Sequence, residues 1–414
     1  MTNGGMIIVG AGEAGAQAAV ELRRRGWTGS ITLIGEENRQ PYERPPLSKQ
    51  ALLSEGEPSP AVMLNAETIR EHDIGFLPGY KAVKIERDNR AVTLSDGSGM
   101  SYERLLLATG AKPRLLTLNG SAPQGVLYLR TFADALAIRG RLRPGKRVAV
   151  IGGGFIGLEV AASARQLGCE VTLIEAGPRI LMRGVPEEIA VMVNDRHAAA
   201  GVVFKLGVSI ATIEGTGEGH VITLADGTGI HCEMVIAGIG AVPETSLAAE
   251  CGLVIENGIS VNETLATSDP NIFAAGDCCS FPHPLYNRRR IRLEAWQNAQ
   301  EQGRHAACSM LGATDPYSVV PWFWSDQYEQ SLQVAGLSDM GQTTVERDLG
   351  IKGKLFFHLS GEGRLVSVSG IGPDGGIAKE IRLASMLIEK QIRPNADLLA
   401  DPGTKLKRLL KEVG

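Results

Sequence analysis

The sequence has few cysteines, few aromatic residues and no long apolar run. Its six cysteines do not make a disulfide framework, and the adjacent Cys278 and Cys279 favour neither a disulfide across the fold nor a metal site. Apolar stretches stay well short of the roughly 18 residues of a membrane span, and no secretory signal pattern opens the chain. Its 42 basic and 46 acidic residues nearly cancel, which disfavours nucleic-acid binding. We therefore expect a cytoplasmic protein that binds neither membrane nor nucleic acid.

Glycine, by contrast, is abundant, with 51 residues, and two segments repeat one glycine pattern. Each has a short apolar run, then Gly-x-Gly-x-x-Gly, then a helical stretch and a second apolar run, as in a βαβ unit. The first glycine allows a tight turn, the second lets the backbone approach a pyrophosphate, and the third lets helix and strand pack closely. The helix N-terminus then faces the phosphate charge. We call residues 10–15 the first fingerprint and residues 152–157 the second; each predicts a dinucleotide site.

An acidic residue after the second strand of such a unit binds the adenosine ribose. In the second unit this residue is Glu175, whose carboxylate would repel a 2′-phosphate, so the sequence favours NAD over NADP. Arg179 and Arg183 lie close by in the sequence. Because an arginine at such a position can bind a 2′-phosphate, NADP remains the alternative. In the first unit the position that matches Glu175 is Gly35, and the first acidic residue comes one position later. Glu36 is therefore favoured as the ribose ligand, and Glu37 is the alternative.

Two dinucleotide sites in one chain predict an oxidoreductase with two cofactors, most commonly a tightly held FAD and a visiting NADH. Apolar strands run into Gly/Pro turns at residues 105–113 and 234–243, where a chain would cross between domains. A third strand and turn, within residues 267–277, ends on Asp277. That carboxylate either binds a ligand hydroxyl or caps a turn, and the residue alone leaves both open.

The whole chain resembles the flavoprotein reductases of the glutathione-reductase structural class. Within that class it is most similar to NADH-dependent ferredoxin reductases of bacterial oxygenase systems, the type of putidaredoxin reductase and biphenyl dioxygenase reductase. The most specific segments are residues 44–49, 267–277 and 321–327. The resemblance implies an α/β fold with two Rossmann-like dinucleotide-binding domains and a C-terminal α+β domain. It divides the chain into an FAD-binding domain (1–113 and 246–320), an NAD-binding domain (114–245) and a C-terminal domain (321–414).

The resemblance also carries site residues onto this sequence. The implied FAD contacts are Gly10, Gly12, Ala14, Gly15, Glu36, Arg44, Lys49, Val83, Arg130, Asp277 and Trp296. The implied NAD contacts are Gly152, Gly154, Ile156, Gly157 and Glu175. Lys49 and Glu159 are the implied catalytic pair beside the flavin, where the lysine cation would favour reduced, anionic flavin and the glutamate would hold it in place. Without the resemblance, both would be interpreted as surface charges.

One absence separates this chain from most reductases of the class. Disulfide reductases carry two cysteines, and related oxidases one, where this sequence has residues 45–53 without a thiol. A thiolate relay is excluded, so electrons must leave the flavin singly for an outside acceptor. The resemblance therefore implies a monomeric or weakly dimeric FAD-dependent NADH:ferredoxin oxidoreductase that serves a [2Fe–2S] ferredoxin. A rubredoxin reductase, a monodehydroascorbate reductase and a redox-sensing protein like apoptosis-inducing factor are the alternatives.

Three further features have both a functional and a structural interpretation. Two basic runs, residues 288–292 and 405–411, form a docking patch for an acidic ferredoxin or are solvated surface. Trp322 and Trp324 line the route of electrons or fill a junction between domains. Cys278 and Cys279 follow Asp277 and would form a redox pair only through a strained ring, so buried thiols are the favoured interpretation.

Overall fold

The protein divides into two compact units. The structure, a computed structural model, describes residues 4–182 and 184–411. The first unit comprises residues 1–43, 60–112 and 242–321 of the chain, and the second comprises Arg44–Ser59, Pro113–Ala241 and Trp322–Gly414. The segment Arg44–Ser59 thus belongs to the second unit, although the first unit precedes and follows it along the chain.

The first unit is built around a largely parallel sheet. Its strands, in spatial order, are Gly75–Pro78, Ile31–Gly35, Gly5–Val9, Gly99–Leu107, Ala91–Leu94 and Ala82–Glu86, and Ile272–Ala274 pairs with Gly99–Leu107. Ala91–Leu94 pairs in antiparallel fashion with both of its neighbours, Gly99–Leu107 and Ala82–Glu86. Gly5–Val9 is apolar, and Gly99–Leu107 becomes apolar and buried at its last three residues, as expected where both faces of a parallel sheet are covered. The helices of this unit are Glu13–Arg24, Ala66–Glu71, Ser246–Glu250 and Trp296–Met310, and a small sheet joins Ile259–Ser260, Cys279–His283 and Arg289–Ile291.

The second unit repeats the parallel arrangement. Its sheet order is Val202–Leu206, Glu170–Glu175, Arg147–Ile151, Met234–Ala237 and Val126–Leu127, with parallel register throughout. The helices are Phe132–Arg139, Phe155–Gln166 and Glu187–Ala199, and a three-stranded antiparallel sheet holds Ile210–Thr216, Gly219–Leu224 and Gly229–Cys232. Both Gly-x-Gly-x-x-Gly turns therefore join the first strand of a parallel pair to its helix, as predicted.

The C-terminal part of the second unit has a different, antiparallel sheet. Its order is Trp322–Gln327, Gln330–Gly336, Leu365–Pro373, Lys354–Leu359 and Thr343–Asp348. The helix Ala378–Glu389 packs on this sheet through Ile381, Ala384 and Leu387, which are buried. The chain continues through Ala396–Ala400 and Leu406–Leu409. Sheet and helix give the predicted α+β arrangement.

The remaining elements are short. They are the strands Ala111–Pro113 and Ala241–Pro243, the helix Gln50–Leu53, and the 3₁₀ helices Pro45–Ser48, Pro284–Tyr286, Ser338–Met340 and Gly350–Lys352. No helix of the described ranges is both long and apolar enough to cross a membrane. The predicted mixed α/β fold is confirmed, whereas the three domain boundaries proposed from the resemblance stay a prediction.

Candidate dinucleotide and redox sites

The first fingerprint separates glycines that the fold requires from one that it does not. Gly10 has φ +111°, and a Cβ there would overlap the carbonyl oxygen of Ala108. A Cβ at Gly15 would overlap the carbonyl oxygen of Gly10, so helix and strand touch there. Gly12 has ordinary extended backbone, and a Cβ on it would meet nothing within 4 Å. Packing therefore explains the outer two glycines and leaves the middle one unexplained.

The second fingerprint gives the same result. Gly152 has φ +103°, and its Cβ would lie 2.5 Å from the carbonyl oxygen of Gly238. A Cβ at Gly157 would overlap the carbonyl oxygen of Gly152, whereas at Gly154 the nearest atom would be 4.0 Å away. Two independent βαβ units thus keep an open backbone face where a pyrophosphate would approach.

The two helix N-termini differ in charge. Gly12 and Gly154 are the N-caps, and neither offers a side chain to the first-turn N–H groups. Glu13 stands in the first turn of the first helix, where its carboxyl accepts bonds from Gln17 (3.0 Å) and Gln300 (3.1 Å). Burial raises the pKa of Glu13, which favours the neutral form and lessens its repulsion of an anion. Sequence reasoning missed this residue.

Glu175 is fixed by backbone N–H groups. Its two carboxylate oxygens accept from Gly153 N at 2.7 Å and from Gly177 N at 2.6 Å. Arg179, one of the two arginines that would favour NADP, donates to the carbonyl oxygens of Ile180 and Leu181 in its own loop. Arg183 lies outside the described residues. The loop is thus organised around a carboxylate, and its described arginine is held by backbone carbonyls.

The acidic residues of the first unit are less constrained. Glu36 follows the strand Ile31–Gly35, is 67% exposed, and pairs with Lys81 at 3.2 Å. Glu37, the reserve candidate, accepts a 2.6 Å bond from the hydroxyl of Tyr42. Glu36 is therefore the more accessible of the two carboxylates.

The turn that carries Asp277 lies against the first fingerprint helix. Gly276 has φ +83°, and a Cβ on it would come within 3.2 Å of the Cβ of Ala14. Arg292 donates to the backbone oxygen of Asp277 at 3.1 Å. The first unit therefore brings Asp277 to the end of the sheet where the fingerprint turn stands.

The other predicted contacts are distributed over both units. In the first unit, Val83 is 43% exposed, and Trp296 begins the helix Trp296–Met310. In the second unit, Ile156 is 47% exposed near the start of its helix. There too the guanidinium of Arg44 donates to the carbonyl oxygen of Arg130, so these two predicted FAD contacts are neighbours.

Lys49 and Glu159 form a sheltered ion pair rather than two surface charges. Their Nζ and Oε2 atoms are 2.7 Å apart, and the Glu159 side chain is only 5% exposed. The Ser48 hydroxyl donates to the same oxygen, and the Ser325 hydroxyl donates to Oε1 at 2.6 Å. A buried carboxylate is stable only with such partners. Both serines lie in the segments 44–49 and 321–327, but their role as partners of Glu159 was not predicted.

The arginine run is largely neutralised by glutamates of the first unit. Three of its members form ion pairs, and these are Arg288 with Glu263 (2.8 Å), Arg290 with Glu256 (3.0 Å) and Arg292 with Glu294 (2.5 Å). Such pairing weakens the field that an acidic partner would feel.

The basic C-terminal helix has the opposite character. Leu406 and Leu409 are buried, whereas Lys405, Lys407, Arg408 and Lys411 are exposed. Within residues 4–182 and 184–411, none of these four cations has an ion-pair partner. Their charge is presented to solvent.

Trp322 and Trp324 occupy one face of the strand Trp322–Gln327. Their rings stack with centroids 5.0 Å apart and planes inclined by 20°. On the other face, Phe323 makes an edge contact with Phe155, the first residue of the second fingerprint helix. The strand thus joins an aromatic pair to the helix that carries Glu159.

The adjacent cysteines have the properties of buried thiols. Cys278 and Cys279 are inaccessible to solvent, and burial raises the pKa of both. The thiolate form that redox chemistry needs is disfavoured at both positions.

Comparisons with known proteins give matches over nearly the whole chain. Residues 5–303 match the model of the pyridine nucleotide-disulphide oxidoreductase family, and residues 322–410 match that of the reductase C-terminal domain. The chain is 41% identical over 407 residues to the ferredoxin–NAD(+) reductase component of the anthranilate 1,2-dioxygenase system of Burkholderia cepacia, covering 98% of each chain. It is 42% identical over 344 residues to the rubredoxin–NAD(+) reductase of Pseudomonas putida, covering 82% of this chain and 89% of that one. The crystal structure of the covalent putidaredoxin reductase–putidaredoxin complex superposes with a TM-score of 0.92 at 35% identity, covering 100% of this chain and 99% of that one.

Proposed function

The chain belongs to the pyridine nucleotide-disulphide oxidoreductase family, in which it is an NADH-dependent ferredoxin reductase, and we propose which of its residues perform each task. The first fingerprint binds the pyrophosphate of FAD, and the second binds that of NADH. The observation that supports two dinucleotide sites is the open face at Gly12 and at Gly154, which packing leaves unexplained in both units. The order of the two cofactors along the chain follows from the resemblance to the ferredoxin reductases.

The residues present fit both dinucleotides. Backbone N–H groups at two helix N-termini meet the pyrophosphates, and Glu36 and Glu175 accept from the ribose hydroxyls. The further FAD contacts are Ala14, Arg44, Lys49, Val83, Arg130, Asp277 and Trp296, and Ile156 is the further NAD contact. Arg179, the described arginine of the Glu175 loop, donates to backbone carbonyl oxygens, and this supports NADH over NADPH.

Bound FAD supplies a two-electron acceptor that can release its electrons one at a time. The chain contributes a fixed cation at Lys49, held by Glu159 in a partly dry site. There a positive charge stabilises developing negative charge more than it would in water. Lys49 is therefore the proposed catalytic residue, and Glu159 fixes its position.

We further propose that the electrons leave for a [2Fe–2S] ferredoxin that docks transiently on the C-terminal basic helix. Its exposed cations, Lys405, Lys407, Arg408 and Lys411, suit an acidic partner, and such attraction raises the rate of encounter. The stacked Trp322 and Trp324 are candidates for the electron route and equally for a junction between domains. The protein acts in a reducing cytoplasm, where free thiols such as its own are stable. It acts as a monomer or weak dimer.

A rubredoxin reductase is the second candidate, because a protein of that name is 42% identical over much of the chain. Transient kinetics with each acceptor distinguish the two. The purified flavoprotein is reduced anaerobically with NADH and mixed with a [2Fe–2S] ferredoxin or with a rubredoxin. We expect electron transfer to the ferredoxin to be faster than transfer to the rubredoxin. Added salt should slow it, because salt screens the attraction between the two proteins. Faster transfer to rubredoxin would favour the second candidate, and slow transfer to both would point to a redox-sensing binding protein.

A further inference from the structure

A line of buried hydrogen bonds runs from Glu159 to His197, a residue that the proposed function does not use. Ser325 Oγ donates to Glu159 Oε1 at 2.6 Å, and Gln327 Nε2 donates to Ser325 Oγ at 3.0 Å. The Oε1 atom of Gln327 lies 2.7 Å from His197 Nε2. All four side chains are at most 6% exposed, and all belong to the second unit. We call these four residues the Glu159 chain.

The direction of every bond in the Glu159 chain follows from its first member. An ionised Glu159 only accepts, so Ser325 must give it its single hydroxyl hydrogen. Ser325 can then only accept from Gln327, which must present its amide nitrogen to the serine and its oxygen to the histidine. His197 must therefore carry its proton on Nε2.

The surroundings of His197 agree with this tautomer. Burial lowers the pKa of His197, and the positive charge of Arg196 lowers it further, so the ring is neutral at neutral pH. Its Nδ1 lies 3.5 Å from the hydroxyl of Tyr328, which is placed to donate to it. Arg196 itself stacks over the Tyr328 ring at 4.0 Å and pairs with Glu329.

The Glu159 chain also reaches the atom that matters for Lys49. One carboxylate oxygen of Glu159 accepts from Ser325, which leaves the other directed at Lys49 Nζ, 2.7 Å away. Without Ser325, Oε1 would lose this bond, and the contacts of Ser48 and Lys49 with Oε2 would remain to hold the carboxylate. The amide of Gln327 cannot readily pass on a proton. The Glu159 chain is therefore suited to orienting Glu159 rather than to conducting protons.

We propose that Ser325, Gln327 and His197 are positioning residues that hold Glu159 in its Lys49-bound orientation. The inference rests on the proposed role of Lys49. Breaking the Glu159 chain at any link slows reduction of the flavin by NADH, while the binding of NADH and FAD is retained.

The test compares Ser325→Val with Ser325→Thr, two side chains of nearly equal shape, of which only threonine keeps the hydroxyl. In rapid-mixing experiments with the holoenzyme, we expect flavin reduction at saturating NADH to be about five- to tenfold slower in the valine variant than in the threonine variant. The NADH concentration for half-maximal rate and the FAD content stay unchanged. Equal rates in the two variants would overturn the proposal.

Two further comparisons protect the test against general damage. Gln327→Met breaks the next link, and His197→Leu breaks the last, whereas His358→Leu removes a buried histidine of the same unit that is bonded to Thr344 instead. The first two variants are expected to slow reduction about fivefold, and His358→Leu to leave it unchanged. Equal slowing in all three would show that loss of a buried polar residue is the cause.

Coupling to Lys49 and nitrogen NMR separate the two proposals. In a Lys49→Met background, Ser325→Val should cost no further rate, and an undiminished additional loss would overturn the inference. If Lys49→Met alone leaves the rate unchanged, the proposed role of Lys49 fails. The ¹⁵N signals of His197, identified by their loss in His197→Leu, then judge the Glu159 chain by itself. A neutral ring protonated on Nε2 supports it, and protonation on Nδ1 contradicts it.

Discussion

The two fingerprints have the same turn and different acidic residues. In both, the outer glycines are demanded by close backbone contacts, the first with the residue after a neighbouring strand and the last between helix and turn, so packing within each unit sets the turn geometry. Two backbone N–H groups donate to Glu175, whereas Glu36 is exposed and forms an ion pair with Lys81. A site whose ligand group is fixed in advance suits a molecule that binds and leaves at each turnover, because little order is lost on binding. In the proposed assignment, the first site instead uses contacts from many more residues, which suits a resident cofactor.

The largest effect is expected from the glycines that packing demands. Gly15→Ala and Gly157→Ala each place a methyl group on a backbone oxygen, so helix and strand must separate. We expect a loss of at least about 2 kcal/mol of stability for each variant, or no folded protein at all. Denaturant unfolding measures it, with Gly99→Ala and Gly217→Ala as controls, since a Cβ at either position meets nothing within 4 Å. Wild-type stability in the first pair would refute the packing argument.

The next largest effect concerns the ion pair of Lys49 and Glu159. Lys49→Met removes the cation and leaves the Glu159 carboxylate buried without its charge partner. We expect flavin reduction by NADH to slow about ten- to a hundredfold, with FAD still bound. Stopped-flow absorbance measures the rate, and Lys354→Met, which breaks an exposed pair with Glu346, is the control. A rate equal to that of the control would remove Lys49 from the reaction.

Glu175→Ala tests the difference between the two acidic residues. Loss of the carboxylate removes the proposed ribose acceptor and releases two backbone N–H groups. We expect NADH binding to weaken about tenfold and NADPH binding much less, because the repulsion of a 2′-phosphate disappears too. Titration of each nucleotide measures this, with Glu170→Ala, an exposed residue of the same strand, as control. An unchanged preference would exclude Glu175 from the ribose site.

The smallest effect separates the two basic runs. Lys407→Glu with Arg408→Glu reverses two exposed charges that have no ion-pair partner among the described residues, whereas Arg288→Gln removes one that Glu263 already neutralises. We expect the KM for ferredoxin to rise about fivefold at low salt in the double variant and to change little in Arg288→Gln. Steady-state assays over a salt series check this. A larger effect from Arg288 would move the docking surface to the arginine run.

The parts of the site that the sequence predicted are those determined by near neighbours. A glycine turn, its strand and helix, and Glu175 at the end of the second strand all lie within residues 147–175, and their spacing determines the geometry. The partners of Glu159 come from positions 48 and 325, far apart in sequence, and nothing local in either segment announces the contact. The same holds for Glu256 and Glu263, which neutralise the arginine run. Burial likewise decides the behaviour of Glu13, and burial of a polar residue is set by tertiary packing.

The most direct test of the assignment of the fingerprints compares Gly12→Ala with Gly154→Ala. Both glycines have extended backbone, and alanine fits both without a clash inside 4 Å, so both variants should fold. We expect Gly12→Ala to be purified with little FAD. Gly154→Ala should keep its FAD but need about tenfold or more NADH to bleach the flavin band in an anaerobic titration. Loss of FAD from Gly154→Ala, or full FAD and normal bleaching in Gly12→Ala, would contradict the assignment.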